Sequence, residues 1–119
     1  MITIVDDDAY FCRAIGRFIR SLGHDVIAFA SAEEFLGSGH ASGTRCLISD
    51  VQMPGGMSGL ELQERLVADG HRFPIIFVAS DPDAKARGPA LEAGALAFLS
   101  KPFDEGELVS SLEKALAAH

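Results

Sequence analysis

Residues 2–8 read Ile2-Thr3-Ile4-Val5-Asp6-Asp7-Asp8, an apolar run that stops abruptly at three carboxylates. A short apolar run bounded by polar residues fits a buried strand. Like charges this close repel and raise one another's pKa. A bound cation relieves that repulsion, and so does exposure on the first turn of a following helix. Working outward, residues 9–22 carry Phe11, Ile15, Phe18, Ile19 and Leu22 at helical spacing, and Gly23 stands where a C-cap belongs. Residues 26–29 form a second apolar run, and Ser31-Ala32-Glu33-Glu34 has the form of a capping box opening a short helix. A polar, glycine-rich loop is expected at 37–44, then a third strand at 46–49 ending at Asp50.

The second half repeats the alternation. Ser58-Gly59-Leu60-Glu61 is another capping box, opening a helix with Leu60, Leu62, Leu66 and Val67. Pro74 precedes a fourth strand at 75–78, and helical composition follows to Ala93, where Gly94 ends it. A fifth strand is expected at 96–99. Asp104 then caps a last helix, with Glu107 at its third position and Leu108, Leu112 and Leu116 on one face. Strands alternating with helices predict an α/β domain, a parallel sheet covered by helices on both faces. The strands read as continuous apolar runs, as doubly buried strands do.

Composition narrows the function classes. At 119 residues one domain is expected, and 48% hydrophobic content supplies a core. A net charge of −7 argues against a nucleic-acid surface. Cys12 and Cys46 show no CxxC pattern and sit in apolar contexts, which fits buried thiols in a reduced, cytoplasmic protein. No apolar run approaches membrane-span length, and the acidic cluster comes too early for a signal peptide. His24, His40, His71 and His119 fall in loops or at the end of the sequence and read as surface residues; Met53 and Met57 read as packing residues.

In open parallel sheets, ligands bind beyond the carboxyl ends of the strands. Three strand ends here carry polar groups: Asp6-Asp7-Asp8, Asp50, and Ser100-Lys101-Pro102. If Asp6, Asp7 and Asp50 converge, they bring a charge of about −3 against the single positive charge of Lys101, and a divalent cation brings the sum near zero. Carboxylates are hard oxygen ligands, so Mg²⁺ or Mn²⁺ suits them, and no His/Cys cluster argues for zinc. Asp50 is then a candidate nucleophile toward phosphorus, giving an acyl phosphate, with the cation and Lys101 stabilising charge on the transferring group. Asp8 reads as a helix N-cap.

The sequence resembles the receiver domain of two-component response regulators over essentially its whole length. The resemblance rests on Val5-Asp6-Asp7, on Ile48-Ser49-Asp50-Val51-Gln52-Met53-Pro54, on Ser58-Gly59-Leu60-Glu61-Leu62, and on Ala93-Gly94-Ala95 followed by Lys101-Pro102-Phe103. No single motif is specific; their order and spacing together are. The nearest kind is the FixJ type, whose receivers usually precede a helix-turn-helix domain. The resemblance implies a flavodoxin-like, doubly wound five-stranded parallel sheet in the order 2-1-3-4-5, spanning residues 1–119 as one receiver without an output module. It implies a phosphoacceptor at Asp50, and Mg²⁺ held by Asp7, by Asp6 through water, and by the carbonyl of Gln52. Lys101 would pair with Asp50 and then with the phosphoryl group, next to a cis Lys101–Pro102 bond. Phe98 would be the inward-turning aromatic of the switch. A sensor histidine kinase or phosphotransfer protein would be the donor, and the fourth helix, fifth strand and fifth helix would form a dimer face. Enzymatic activity would be limited to the domain's own phosphoryl transfer and acyl-phosphate hydrolysis.

Three positions depart from that pattern. Ala79 stands where the family has Thr or Ser at the end of the fourth strand, and Ser80 substitutes for it only if the strand has already bent, because neighbouring strand side chains point to opposite sides. Gly88-Pro89 falls inside the expected fourth helix, so the regular helix is expected to start at Pro89, leaving 81–88 as loop. The Gly55-Gly56 pair lengthens the loop after Pro54 by one position. Ala79 and Gly88-Pro89 favour an alternative reading, a pseudo-receiver interaction scaffold with weakened switching; the intact Asp6, Asp7, Asp50 and Lys101 oppose it. A nucleotide- or flavin-binding enzyme on the same topology needs a Gly- or Ser/Thr-rich phosphate cradle after the first strand, where this chain has three aspartates.

Overall fold

Local sequence signals become elements one by one. The structure, a computed structural model, describes residues 1–79 and 85–117. The apolar runs form β1 (Ile2–Val5), β2 (Val26–Phe29), β3 (Cys46–Asp50), β4 (Ile75–Ala79) and β5 (Ala97–Ser100). Between and after them lie α1 (Ala9–Ser21), α2 (Ala32–Ser38), α3 (Gly59–Ala68), α4 (Arg87–Glu92) and α5 (Glu105–Ala117). The strands make one sheet in the order β2-β1-β3-β4-β5, every pair parallel. This is the flavodoxin-like order expected above.

Caps explain where the helices begin. Asp8 Oδ1 accepts from Phe11 N at 3.1 Å, and Asp104 Oδ1 from Glu107 N at 2.8 Å. The Ser58 box is complete: Ser58 Oγ accepts from Glu61 N, and Glu61 Oε1 accepts from Ser58 N. Those contacts hold the Glu61 carboxyl below its ordinary range. The Ser31 box is only half made. Ser31 Oγ accepts from Glu34 N at 3.1 Å, but Glu34 turns its carboxylate to the hydroxyl rather than to the Ser31 N–H. At the far end of α1, Gly23 takes φ +95° and donates to Arg20 O.

Alternate strand residues feed two core layers. Ile4, Ile48, Val78 and Leu99 pack with Ile19 of α1 and with Leu108 and Leu112 of α5. Val5, Leu47, Phe77, Ala79 and Phe98 pack on the other face with Phe35 of α2, Leu62 and Leu66 of α3, and Ala90 of α4. Burying such a side chain contributes roughly 1.5–3 kcal/mol, so the two layers dominate the stability of the sheet. Cys46 is fully buried and Cys12 partly so, and burial pushes their thiols up to about 12 and about 11.

Some local expectations need correction. The 37–44 segment is not all loop, because α2 runs to Ser38 and a 3-10 turn follows at His40–Gly43. β5 sits one residue later than expected. Val67 is 61% exposed, since the helical rotation that buries Leu66 carries its neighbour outward. Gln63 takes the buried place instead, and its Nε2 donates to Ala90 O across to α4. The fourth helix begins at Arg87, not Pro89. Pro89 thus sits third in the first turn, where a backbone N–H has no helical acceptor to lose. Ser80, the first part of the 81–88 segment and His119 lie outside the described residues. His40 is exposed, while His24 and His71 are half-buried away from the acidic strand ends; Met53 is buried and Met57 packs against the core.

Candidate functional site

The topology brings the ends of β1, β3 and β5 to one edge. Asp6 and Asp7 follow β1 directly, Asp50 closes β3, and Lys101 follows β5. Lys101 N donates to Ala79 O, which ties the lysine's backbone to the end of β4, and the Lys101–Pro102 bond is cis. Asp6, Asp7 and Asp50 offer carboxylate oxygens that all lie within 4.8 Å of one another. Asp6 is buried, Asp7 exposed and Asp50 between them.

Each acid has a distinct set of partners. Asp6 accepts from Asp8 N at 2.9 Å through Oδ1 and from Lys101 Nζ at 3.0 Å through Oδ2. Asp50 Oδ1 accepts from Gln52 N at 3.2 Å, and Asp50 Oδ2 stands 3.8 Å from Lys101 Nζ. The lysine therefore favours Asp6 over Asp50. Asp6 has no exposed side-chain surface, so the ammonium takes the place of water there, whereas Asp50 keeps 13% exposure. Burial pushes the Asp50 carboxyl up from 3.8 to about 6. Asp6 adds to that rise and Asp7 contributes, while Lys101 and the Gln52 N–H pull the other way.

Three residues matter here that the sequence reading placed only in helices, caps or motifs. The Lys101 ammonium lies 4.1 Å from the centroid of the Phe11 ring, which in turn meets Phe103 edge to face. By spacing Phe11 belongs to the apolar stripe of α1; its place on the first turn, three residues after Asp8, brings it to this edge. A Cβ on Gly59 would stand 2.2 Å from Asp50 O, so only glycine lets α3 start against the end of β3. Glu33 takes no part in the Ser31 cap, whose partner is Glu34; its Oε2 accepts from Met57 N at 2.7 Å in the loop after Asp50.

The remaining expected positions lie around the edge. Gln52 is exposed on the β3–α3 loop. Ala79 is fully buried and Phe98 is 4% exposed; both face the layer containing Phe77, whose ring centroid is 6.4 Å from that of Phe98. Phe98 is thus inward, and Arg87 Nη1 donates to its backbone carbonyl at 3.1 Å. An all-oxygen acidic set with a lysine at its side fits a hard divalent cation.

The family model described as the response regulator receiver domain matches residues 2–113. Response regulator protein TodT of Pseudomonas putida is 41% identical over 116 residues, which span 98% of this chain and 51% of that protein. Transcriptional regulatory protein FixJ of Bradyrhizobium diazoefficiens is 34% identical over 115 residues, spanning 97% of this chain and 56% of that one. The solved structure of response regulator StyR matches with a TM-score of 0.90 at 38% identity, covering 98% of this chain and 59% of that chain. The crystal structure of FixJ-N matches at 0.88 and 30% identity, covering 99% and 94%. The chain spans about half the length of the curated relatives it matches. No helix among the described residues is long and apolar enough to cross a membrane. The chain belongs to the response regulator receiver domain family of two-component signalling.

Proposed function

We propose that the domain accepts a phosphoryl group on Asp50 from a phosphohistidine of a sensor kinase or phosphotransfer protein. An Asp50 carboxylate oxygen forms the new O–P bond as the P–N bond breaks, and the electron pair returns to the imidazole nitrogen. The observation that carries this reading is the meeting of Asp6, Asp7 and Asp50 within 4.8 Å, with Lys101 Nζ 3.8 Å from the acceptor. Asp7, Asp50 and the carbonyl of Gln52 would hold Mg²⁺ or Mn²⁺, with Asp6 beside them. When bound, that cation supplies positive charge to the phosphoryl oxygens. Asp50 must be ionised to attack, and a pKa near 6 leaves it mostly so at neutral pH. Lys101 then balances charge on the transferring group, and Phe11 holds the ammonium in reach.

The added charge would bias a two-state surface around α4 and β5, altering contacts with a partner or a second copy. The relatives named as transcriptional regulators support an output in transcription, delivered by a separate domain from a cytoplasmic protein. The scaffold alternative finds no support at the site, whose acids and lysine are all present. Intact-mass spectrometry after incubation with acetyl phosphate tests the reading. A Mg²⁺-dependent, hydroxylamine-labile gain of one phosphoryl group, absent in Asp50→Asn, is expected. No gain in a folded chain that binds Mg²⁺ would sink it.

A further inference from the structure

The loop joining Asp50 to α3 carries Gln52 and the Gly55-Gly56 pair. Gly55 takes φ +87° to turn it, a conformation that favours glycine. Such a loop is held only by what it touches. Among the described residues, the Met57 N–H bond to Glu33 is the single hydrogen bond from loop positions 54–57 to another element. At 2.7 Å with an ionised acceptor, it belongs to the short, strong class. It also spans 24 positions of sequence, from the first turn of α2 to the entrance of α3.

The packing around it is specific. A Cβ on Gly56 would stand 2.8 Å from Glu33 Oε1 and 3.1 Å from Oε2, so the carboxylate lies flat against the loop backbone. Glu33 and Asp7 both line one cavity of about 340 Å³, together with Met53, Pro54, Gly55 and Gly56. Met53 and Met57 pack into the core at the two ends of this stretch, and Glu33 supplies the hydrogen-bonding partner on another element. The second glycine of the pair and the acid on α2 are therefore one device: the glycine clears the space and the acid occupies it.

We propose that Glu33 is a positioning residue for the phosphoacceptor edge, holding the glycine-rich loop through Met57 N–H so that the Gln52 carbonyl faces the acidic cluster. This rests on the metal reading proposed above, and it concerns an acid that lies outside the cluster itself. Glu33 acts through the backbone it holds.

The test compares the wild-type chain with Glu33→Gln and Glu33→Ala. Hydrogen exchange at the Met57 amide is measured without metal, and Mg²⁺ affinity is followed by NMR titration of the loop amides. Alanine removes the acceptor, so faster Met57 exchange and about tenfold weaker Mg²⁺ binding are expected at an unchanged urea midpoint, the size typical of a lost outer partner at a metal site. Glutamine keeps a carbonyl oxygen for Met57 N–H, so it should retain most of both. Equal losses in the two variants would assign the effect to charge and overturn the latch. Unchanged Mg²⁺ affinity in Glu33→Ala would overturn it while leaving the metal reading intact. A wild-type chain that binds no Mg²⁺ would overturn the metal reading itself and this inference with it, and the wild-type arm alone would reveal that.

Discussion

Lys101 Nζ lies 3.0 Å from Asp6 Oδ2 and 3.8 Å from Asp50 Oδ2, so the charge that follows β5 compensates the buried acid at the end of β1 more closely than the acid that closes β3. Removing one partner of a buried pair leaves the other charge without compensation.

Lys101→Ala is therefore expected to destabilise the metal-free domain by about 2–3 kcal/mol, less than a fully buried pair because the lysine keeps 22% exposure. Mg²⁺ should recover part of that loss, since a cation at the acidic edge replaces the missing positive charge. Urea unfolding with chelator and with Mg²⁺ checks both halves. An equal loss in the two conditions would place the lysine's contribution in packing against Phe11 instead.

Asp50 carries its own pH signature. Its folded carboxyl is raised from 3.8 to about 6, so the folded state binds that proton more tightly than the unfolded chain does. Below about pH 4 both states are protonated there and no penalty arises. Between pH 4 and 6 the unfolded chain ionises first, and stability falls as pH rises; above pH 6 the penalty is constant. Metal-free Asp50→Asn should thus match wild type near pH 4 and exceed it by about 1–2 kcal/mol at pH 7.5, allowing for solvent near the group. A difference independent of pH would show that the acceptor is not the source.

Gly59 offers a purely steric prediction. Gly59→Ala drives a methyl to within 2.2 Å of Asp50 O and 3.0 Å of the Phe77 ring, both in fixed structure. A loss of about 2–3 kcal/mol is expected, the upper range for overpacking. Ser58→Ala, one residue away, removes the capping bonds and should cost only about 1 kcal/mol. Comparing their urea midpoints separates close approach from capping; similar losses would mean that α3 moves aside freely.

The fold was legible because its signals are local and redundant: apolar runs ending in acids, boxes such as Ser58–Glu61, and glycines at helix ends. The strand ends at Asp6, Asp7, Asp50 and Lys101 were legible for the same reason, since topology alone gathers them on one edge. Contacts between side chains distant in sequence were not. Glu33 stands beside the Ser31–Glu34 capping pair on the first turn of α2, where local rules give it no partner, while its partner Met57 lies 24 positions on. Phe11 satisfied a helical period whether it faced the core or the lysine. The start of α4 escaped because a proline is compatible with any place in the first helical turn, and sequence favours the first.

Ala79→Thr asks what the missing hydroxyl does. The Ala79 methyl is fully buried in the same layer as Phe98, so an added hydroxyl there must find a partner or remain unpaired. In the unphosphorylated domain the variant should lose about 1 kcal/mol, the cost of an ill-satisfied buried polar group. If Asp50 is phosphorylated as proposed, the hydroxyl would gain an acceptor, and one net hydrogen bond is worth about 0.5–1.5 kcal/mol. The phosphoryl-dependent rise in stability should therefore be larger in Ala79→Thr than in wild type by that amount. Thermal unfolding with and without acetyl phosphate and Mg²⁺ reads the difference directly. Equal shifts in the two proteins would mean that residue 79 does not face the phosphoryl group, and that β4 contributes to the site only through the backbone bond from Lys101 N to Ala79 O.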